Sequence, residues 1–230
     1  MSGQLPLALR WPAQQRFETF LPGDNAAAVA AVREAAAATG AGVFLAGAPA
    51  TGKSHLLLAA CADAAARGRS AQYLPLAKLA SDRAAALRAI GGSALIAIDD
   101  VQEVAGDAGA EHALFDLYNR GKAERSTLLF AAVGAPGRLG IVLPDLVSRL
   151  SACTQLALRP LAEAQRREVL RRRAAARGLA LDEAVLDWLL TRTERDLGSL
   201  AALLERIDRE SLAAKRRITV PFLRRLLDRA

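Results

Sequence analysis

The chain has 230 residues and a formal net charge of +7, with 52% hydrophobic and 24% charged side chains. This composition excludes a chain that is disordered throughout and is typical of a folded globular protein. No run of eighteen apolar residues is free of charge, so the sequence predicts no membrane-spanning helix and no membrane partner. Residues 1–16 lack the pattern of a signal peptide. Two cysteines, Cys61 and Cys153, are too few for a disulfide framework and predict reduced thiols in a cytoplasmic protein.

The positive charge is concentrated in the last third of the chain. Residues 159–230 hold 17 basic and 11 acidic side chains, so they carry +6 of the net +7. A basic segment indicates an anionic partner. The alternative is that arginines interleaved with Glu and Asp cover the exposed faces of helices, and the interleaving favours this alternative.

Strands and helices are predicted to alternate through the first two thirds of the chain. After an extended tail over residues 1–16, the predicted elements are, in chain order, helix 25–38, strand 43–46, helix 53–67, strand 71–74, helix 77–90, strand 94–98, helix 111–124, strand 127–133 and strand 154–158. This alternation predicts an α/β base domain over residues 17–159, with a parallel sheet covered by helices on both faces.

Only helical periodicity remains after Pro160. The sequence predicts helices at 162–177, 183–193, 197–214 and 219–229. Gly178 and Pro221 interrupt the helical pattern, and Thr219 is a favourable residue to cap the last helix. Residues 160–230 are therefore predicted to form a small all-α domain.

A phosphate-binding loop is predicted between the first strand and the second helix. Its sequence, GAPATGKS at residues 47–54, fits the pattern G-x-x-x-x-G-K-[ST]. The glycines of this pattern let the backbone wrap around phosphate oxygens. Lys53 would reach the outer phosphates, and the Ser54 hydroxyl would bind Mg²⁺. A plain strand–helix turn with a surface lysine is the alternative. The predicted nucleotide-binding residues are Gly47, Ala48, Pro49, Ala50, Thr51, Gly52, Lys53, Ser54 and His55.

Two carboxylates follow the wholly apolar strand at 94–98. In P-loop proteins a carboxylate at the end of a neighbouring strand orients the magnesium ion, and this role falls to Asp99, together with Ser54. Asp100 stands where a water-activating acid would lie, although its side chain is one methylene shorter than that of glutamate. Both are included in the predicted nucleotide site.

These motifs resemble the DnaA-related AAA+ ATPases, and within them the Hda family of DnaA regulatory inactivators. The resemblance covers essentially the whole chain and implies a P-loop AAA+ parallel-sheet base followed by an all-α lid. It also implies an adenine nucleotide (ADP or ATP) with Mg²⁺, and the initiator DnaA as a partner. DnaA itself carries a further DNA-binding domain, for which Ala230 leaves no room, so we expect the inactivator. The resemblance rests on segments 20–25, 52–57, 59–62, 98–100, 115–120, 143–150 and 219–222.

The first residues are similar to the short peptide by which bacterial proteins bind the replication sliding clamp. An extended segment can place leucines in a hydrophobic groove while a glutamine amide makes polar contacts at its rim. The alternative is an ordinary disordered terminus. With the family resemblance we expect clamp binding, and through the clamp an indirect link to DNA, by Gln4, Leu5, Leu7 and Leu9.

Three further positions bear on catalysis through the resemblance. The polar sensor residue after the fourth strand is replaced by Val133. The lid's sensor arginine falls on Gly198, one turn from Arg195. Arg149 matches the family's arginine finger, which projects from a surface turn towards the nucleotide of a neighbouring subunit, either DnaA or a second copy. A solvated or ion-paired arginine is the alternative.

The resemblance therefore implies a nucleotide-bound regulator with weak or no ATPase activity of its own. Tethered to the DNA-loaded clamp, it would stimulate ATP hydrolysis by DnaA and prevent re-initiation of replication. One alternative is an autonomous, DNA-associated ATPase of the helicase-loader or transposition-helper type, against which Val133 argues. Another is a module that only recruits partners, against which Lys53 argues.

Overall fold

The computed structural model describes residues 11–79, 82–179, 181–192, 206–207 and 219–227. The chain divides into two compact units, Met1–Arg159 and Pro160–Ala230. Among the described residues, no helix combines the length and the apolar character needed to cross a membrane.

A five-stranded parallel sheet forms the centre of the first unit. The strands lie in the order β2-β3-β4-β1-β5. Because every pairing is parallel, the carboxyl ends of β1, β3 and β4 meet at one edge. All residues of β3 and β4 are buried, as expected for parallel strands covered on both faces. The bounds are Gly42–Ala46 for β1, Ala71–Pro75 for β2, Leu95–Asp99 for β3, Thr127–Ala132 for β4 and Thr154–Ala157 for β5.

Helices cover both faces of the sheet and confirm the predicted α/β base. Two hydrophobic clusters form, one including Val32 and Leu56 and the other including Leu87, Leu114 and Leu146. The first takes in α1 and α2, and the second takes in α3, α4 and α5. The bounds are Ala26–Ala37 for α1, Lys53–Ala66 for α2, Arg83–Ala89 for α3, Ala108–Ala123 for α4 and Pro144–Ser151 for α5.

Two helix predictions were wrong in extent. The helix predicted over 77–90 is interrupted, because Leu76–Lys78 forms only a 3-10 turn and α3 begins at Arg83. Helix α4 begins at Ala108 rather than 111. Its start is fixed by Asp107, whose carboxylate accepts a hydrogen bond from the amide of Ala110 at 3.0 Å and so caps the helix.

The end of the predicted tail also differs from the expectation. Residues 11–16 form turns rather than an extended segment. Trp11 packs against the cluster shared by α1 and α2. The Arg16 guanidinium donates hydrogen bonds to the carbonyls of Pro12 at 2.6 Å and Trp11 at 3.0 Å, which closes the turn on itself.

Helices are the regular secondary structure among the described residues of the second unit, which confirms the predicted all-α lid. It contains α6 (Glu163–Ala175), α7 (Glu183–Arg192) and α8 (Val220–Leu227). The predicted helix at 197–214 lies outside the described residues except at 206–207. The core of this unit is formed by Leu170, Ala174, Val185, Leu186, Leu189, Ile207 and Leu223.

Ion pairs account for several of the lid arginines. Arg167 pairs with Glu183 and Asp187, and Arg171 pairs with Glu168 and Glu183. These partly exposed pairs each contribute little to stability. They agree with the interpretation that arginines and acids share the exposed faces of the helices.

Both cysteines are buried and unbridged, as predicted. Burial raises the pKa of the Cys61 thiol to about 12 and that of the Cys153 thiol to about 11. Since the thiolate is the reactive form, neither side chain is suited to nucleophilic or redox chemistry at neutral pH.

A buried carboxylate joins α4 to the loop that precedes α5. The Glu111 side chain is 2% exposed and accepts hydrogen bonds from the amides of Gly106 at 2.9 Å, Val142 at 3.1 Å and Leu143 at 2.8 Å. Burial opposes ionisation, but these hydrogen bonds outweigh it and lower the pKa of Glu111. Because α5 begins at Pro144, Glu111 fixes the position at which α5 starts.

Replacing Glu111 with glutamine should destabilise the protein by about 2–3 kcal/mol at neutral pH, because the new side-chain N–H groups would face backbone donors. A lowered pKa gives stability that is complete above the ordinary glutamate value of about 4.3 and is lost as the pH falls through the folded-state pKa. The free energies of unfolding of the parent and Glu111→Gln should therefore converge in acid. Urea unfolding measured from neutral pH down to about pH 3 checks this. The exposed Glu34→Gln is the control, and a pH-independent gap would contradict the prediction.

Candidate nucleotide-binding site

The predicted phosphate-binding loop connects β1 to α2 at the carboxyl edge of the sheet. The Gly47 amide donates to the carbonyl of Ala132, the last residue of β4, at 3.2 Å. Two residues of the loop adopt left-handed backbone conformations, Ala50 with φ of 63° and Gly52 with φ of 95°. For a residue with a side chain this conformation costs roughly 1 kcal/mol, so strain is stored at Ala50 within the loop.

Both motif glycines are required by close contacts. A Cβ on Gly47 would lie 2.8 Å from the Thr51 hydroxyl and 2.9 Å from the carbonyl of Leu158. A Cβ on Gly52 would lie 2.6 Å from Cε2 of Phe20. The loop is therefore tightly packed at both motif glycines, as expected of a backbone that wraps around phosphate oxygens.

Lys53 is held over the loop. Its side chain is 7% exposed, and Nζ donates to the carbonyls of Gly47 at 2.7 Å and Ala48 at 2.9 Å. Burial lowers the pKa of Lys53, while the nearby Asp99 and Asp100 act in the opposite direction. The ammonium is thus oriented and largely removed from water, where its attraction for a phosphate is strongest.

Asp99 lies at the end of β3 and is 1% exposed. It accepts hydrogen bonds from the Tyr73 hydroxyl at 2.8 Å, from the Ser54 hydroxyl and from the Asp100 amide at 3.0 Å. Burial raises the pKa of Asp99, and the hydrogen bonds from Ser54 and Tyr73 oppose this shift. The two residues predicted to hold magnesium, Ser54 and Asp99, are therefore in contact.

The donor set fits a magnesium–nucleotide complex. Mg²⁺ prefers hard oxygen ligands and is commonly held by one or two protein groups together with phosphates and water. Ser54 and Asp99 supply such oxygens beside the phosphate loop. Among the described residues, no group of three or more His, Cys, Asp or Glu side chains forms an all-protein metal site.

A glutamine that the sequence analysis did not single out lies beside Asp100. Gln102 donates from Nε2 to the Asp100 carboxylate at 3.3 Å, and its Oε1 accepts from the Val133 amide at 3.2 Å. Asp100 adopts a left-handed conformation with φ of 58°. Val133 follows β4 directly and its side chain is 46% exposed. Gln102 thus links the ends of β3 and β4.

The segment before α1 covers the start of α2. Phe20 and the His55 ring make an edge-to-face contact with centroids 5.1 Å apart, and His55 Nε2 lies 2.8 Å from the carbonyl of Arg16. The predicted nucleotide-site residue His55 therefore directs its ring towards this segment. Asn25 exchanges two hydrogen bonds with the backbone of Arg159, at 2.9 and 2.7 Å, which ties the segment to the end of the first unit.

Arg149 lies on the last turn of α5, not on the turn that was predicted for it. The helix forms because Pro144 occupies its first turn, where proline is tolerated, and because Leu146 and Leu150 bury one face. Arg149 is exposed. Among the described hydrogen bonds and ion pairs, none joins its side chain to the phosphate loop.

Several predicted site residues lie outside the described part of the chain. They are the tail residues Gln4, Leu5, Leu7 and Leu9, and the lid residues Arg195 and Gly198.

Two family models match the chain. Residues 12–157 match the bacterial DnaA ATPase domain, and residues 163–227 match the lid domain of Hda. The two matches together span the base and the lid, in the order that the sequence analysis predicted.

Solved structures share the fold. Domain III of the replication initiation protein DnaA from Thermotoga maritima has a TM-score of 0.78 and 22% identity, covering 94% of this chain and 96% of that one. AMPPCP-bound DnaA from Aquifex aeolicus has a TM-score of 0.68 and 22% identity, covering 86% of this chain and 66% of that one. The RuvB Holliday junction branch migration motor of Thermotoga maritima has a TM-score of 0.66 and 19% identity, covering 93% of this chain and 71% of that one.

Replacing Lys53 with alanine should abolish binding of an adenine nucleotide. The ammonium is the buried cation of the loop, and each charge-assisted hydrogen bond that it makes to a phosphate contributes roughly 1.5–3 kcal/mol. Calorimetric titration with ADP and Mg²⁺ measures the loss. Lys78→Ala, at an exposed lysine of the same unit, is the control. Undiminished ADP affinity in Lys53→Ala would contradict the assignment of the site.

Proposed function

The chain belongs to the bacterial DnaA ATPase domain family, and we propose that within it the chain regulates the initiator. In this proposal the nucleotide-bound protein is tethered to the DNA-loaded sliding clamp and stimulates ATP hydrolysis by DnaA, which limits re-initiation of replication. The observation that carries the proposal is the match of the lid to the Hda lid domain, directly after a DnaA-type base.

The phosphate loop supports the nucleotide-binding part of the proposal. Lys53 would exchange its contacts with the carbonyls of Gly47 and Ala48 for phosphate oxygens, a more favourable pairing for a buried ammonium. Ser54 and Asp99 would hold Mg²⁺, which supplies positive charge to the phosphates when it is bound. AMPPCP-bound DnaA, a neighbour in fold, has an adenine nucleotide analogue as its ligand.

The placement of Arg149 supports action on a second molecule. Helix α5 is fixed by Leu146 and Leu150 in the core and by Glu111 at the loop before it. The backbone that carries the exposed Arg149 is therefore held in place, so no backbone ordering is needed when its side chain engages a partner. A guanidinium supplied in trans stabilises the charge that develops on a transferring phosphoryl group.

A competing arginine is already engaged within the base. Arg120 donates to the carbonyl of Ile90 at 3.0 Å and to that of Leu87 at 3.4 Å, at the carboxyl end of α3. It would have to give up both contacts to act on a partner. Arg138 is exposed and is the next candidate for the finger after Arg149.

Replacing Arg149 with alanine should remove most of the stimulation of DnaA, because an arginine finger can contribute roughly 10³–10⁵ in rate. Arg149→Lys should recover only part of it, since an ammonium cannot bridge two oxygens as a planar guanidinium does. The measurement is phosphate release from ATP-loaded DnaA in the presence of the clamp and DNA. Nucleotide affinity and thermal stability should remain at the parent values, because Arg149 is exposed.

Arg88→Ala is the matched control, since it removes an exposed arginine from another helix of the same base. If Arg149→Ala stimulates DnaA as well as the parent does, the finger is elsewhere or the protein acts only by recruitment. Turnover by the parent alone on the order of 1 per second or faster would instead support an autonomous ATPase.

Removing residues 1–10 should abolish binding to the sliding clamp while leaving nucleotide affinity unchanged. In the proposal, Leu5, Leu7 and Leu9 occupy a hydrophobic groove on the clamp and Gln4 contacts its rim. A pull-down with purified clamp measures the effect, and Gln4→Ala with Leu5→Ala tests the same contacts without deletion. Retained binding in both variants would show that the contact with the clamp lies elsewhere in the chain.

A further inference from the structure

We propose that Gln102 contacts the terminal phosphate of a bound nucleoside triphosphate, and that through this contact the site distinguishes a triphosphate from a diphosphate. The inference rests on the proposed binding of an adenine nucleotide and deepens it. It assigns a specific role to a residue that no nucleotide-binding motif of the chain includes.

The side-chain amide of Gln102 lies at the carboxyl edge of the sheet. Gln102 spans the ends of β3 and β4, with Nε2 at 3.3 Å from the Asp100 carboxylate and Oε1 at 3.2 Å from the Val133 amide. The residue before Val133 is Ala132, whose carbonyl accepts from the amide of Gly47. The Gln102 amide therefore lies between Asp100 and the end of β4, the strand whose last residue contacts Gly47 of the phosphate loop.

The side chains at this edge differ in charge and in the hydrogen bonds that they can donate. Lys53 and Ser54 mark the phosphate and cation sites, and Asp99 and Asp100 repel an anion unless a cation is present. Val133 is exposed beside them and offers no side-chain donor. Gln102 is a neutral hydrogen-bond donor that lies between Asp100 and Val133. A primary amide carries two N–H groups, and the contact with Asp100 accounts for one of them.

The side-chain amide of Gln102 is held in place by hydrogen bonds. Its oxygen accepts a hydrogen bond from the amide of Val133, the residue after β4, and its nitrogen donates one to the Asp100 carboxylate. The orientation of the amide plane is therefore fixed from both sides. Gln102 also lies within the 3-10 turn Val101–Val104, whose first and last residues are fully buried. A donor positioned in advance loses little entropy when it binds an oxygen.

The opposing interpretation is that Gln102 is only a brace between two strand ends. A brace would affect both nucleotides equally, because it would act through the shape of the loop. A contact with the terminal phosphate would affect the triphosphate alone, because a diphosphate has no oxygen at that position. The ratio of the two affinities therefore separates the interpretations.

The experiment is calorimetric titration of the full chain with ADP and with the non-hydrolysable analogue AMPPCP, each with Mg²⁺. Gln102→Ala should weaken AMPPCP binding about tenfold, the effect of losing one hydrogen bond to a charged group, and should leave ADP affinity within about twofold of the parent. Gln102→Glu keeps an oxygen for the Val133 amide but replaces the donor with a negative charge. It should weaken AMPPCP binding more than Gln102→Ala does.

Gln72→Ala is the matched control. Gln72 is also half-buried and accepts a hydrogen bond from the Gly91 amide at 3.0 Å, but it lies near the amino end of β2. Its loss should leave the ratio of the two affinities unchanged.

Two results would overturn the inference. Equal weakening of ADP and AMPPCP in Gln102→Ala would assign the residue to a brace, and an unchanged AMPPCP affinity would exclude the contact altogether. In both cases the parent would still bind nucleotide, so the proposed function would stand. A parent chain that binds neither nucleotide would instead refute the proposed function and the inference together.

Discussion

The site depends on two opposite charges that are buried together at one edge of the sheet. Burial disfavours the charged form of each, lowering the pKa of Lys53 and raising that of Asp99. Hydrogen bonds offset the lost hydration: Lys53 donates to two loop carbonyls, and Asp99 accepts from Tyr73, Ser54 and the Asp100 amide. Holding charges in this way costs folding stability. It also leaves little reorganisation to be done when phosphate and cation arrive, which is the advantage of a preformed electrostatic site.

The parallel sheet makes this arrangement possible with short segments. Because β3, β4 and β1 end at the same edge, residues far apart in the chain meet without long loops. The loop is then held from outside by Phe20, whose ring occupies the space that a side chain at residue 52 would need. Gly52 is favoured by its left-handed backbone, and the Phe20 ring packs directly against it.

The sequence could predict those features of the fold and the site that a local pattern of residues marks. The phosphate loop, the apolar β3 and the break at Pro160 are local patterns, and each was recognised. Asp107 was also a local signal, a capping residue just before α4, and the prediction missed it. Val133 lies 31 residues from its partner Gln102, and Leu143 lies 32 residues from its partner Glu111. Tyr73 likewise meets Asp99 only because β2 pairs with β3. No pattern within a single element marks such contacts, because they exist only once the strands are ordered.

Those long-range contacts follow one another along a short stretch of chain. β3 ends at Asp99, Asp100 follows it, Gln102 lies in the 3-10 turn Val101–Val104, and the chain then passes through Gly106 to the start of α4. Glu111 Oε1 then accepts from both the Gly106 amide and the Val142 amide, so one oxygen holds the end of the turn and the loop before α5. The segment from Asp99 to Glu111 thus connects the end of β3, at the proposed phosphate site, to the loop before the helix that carries Arg149.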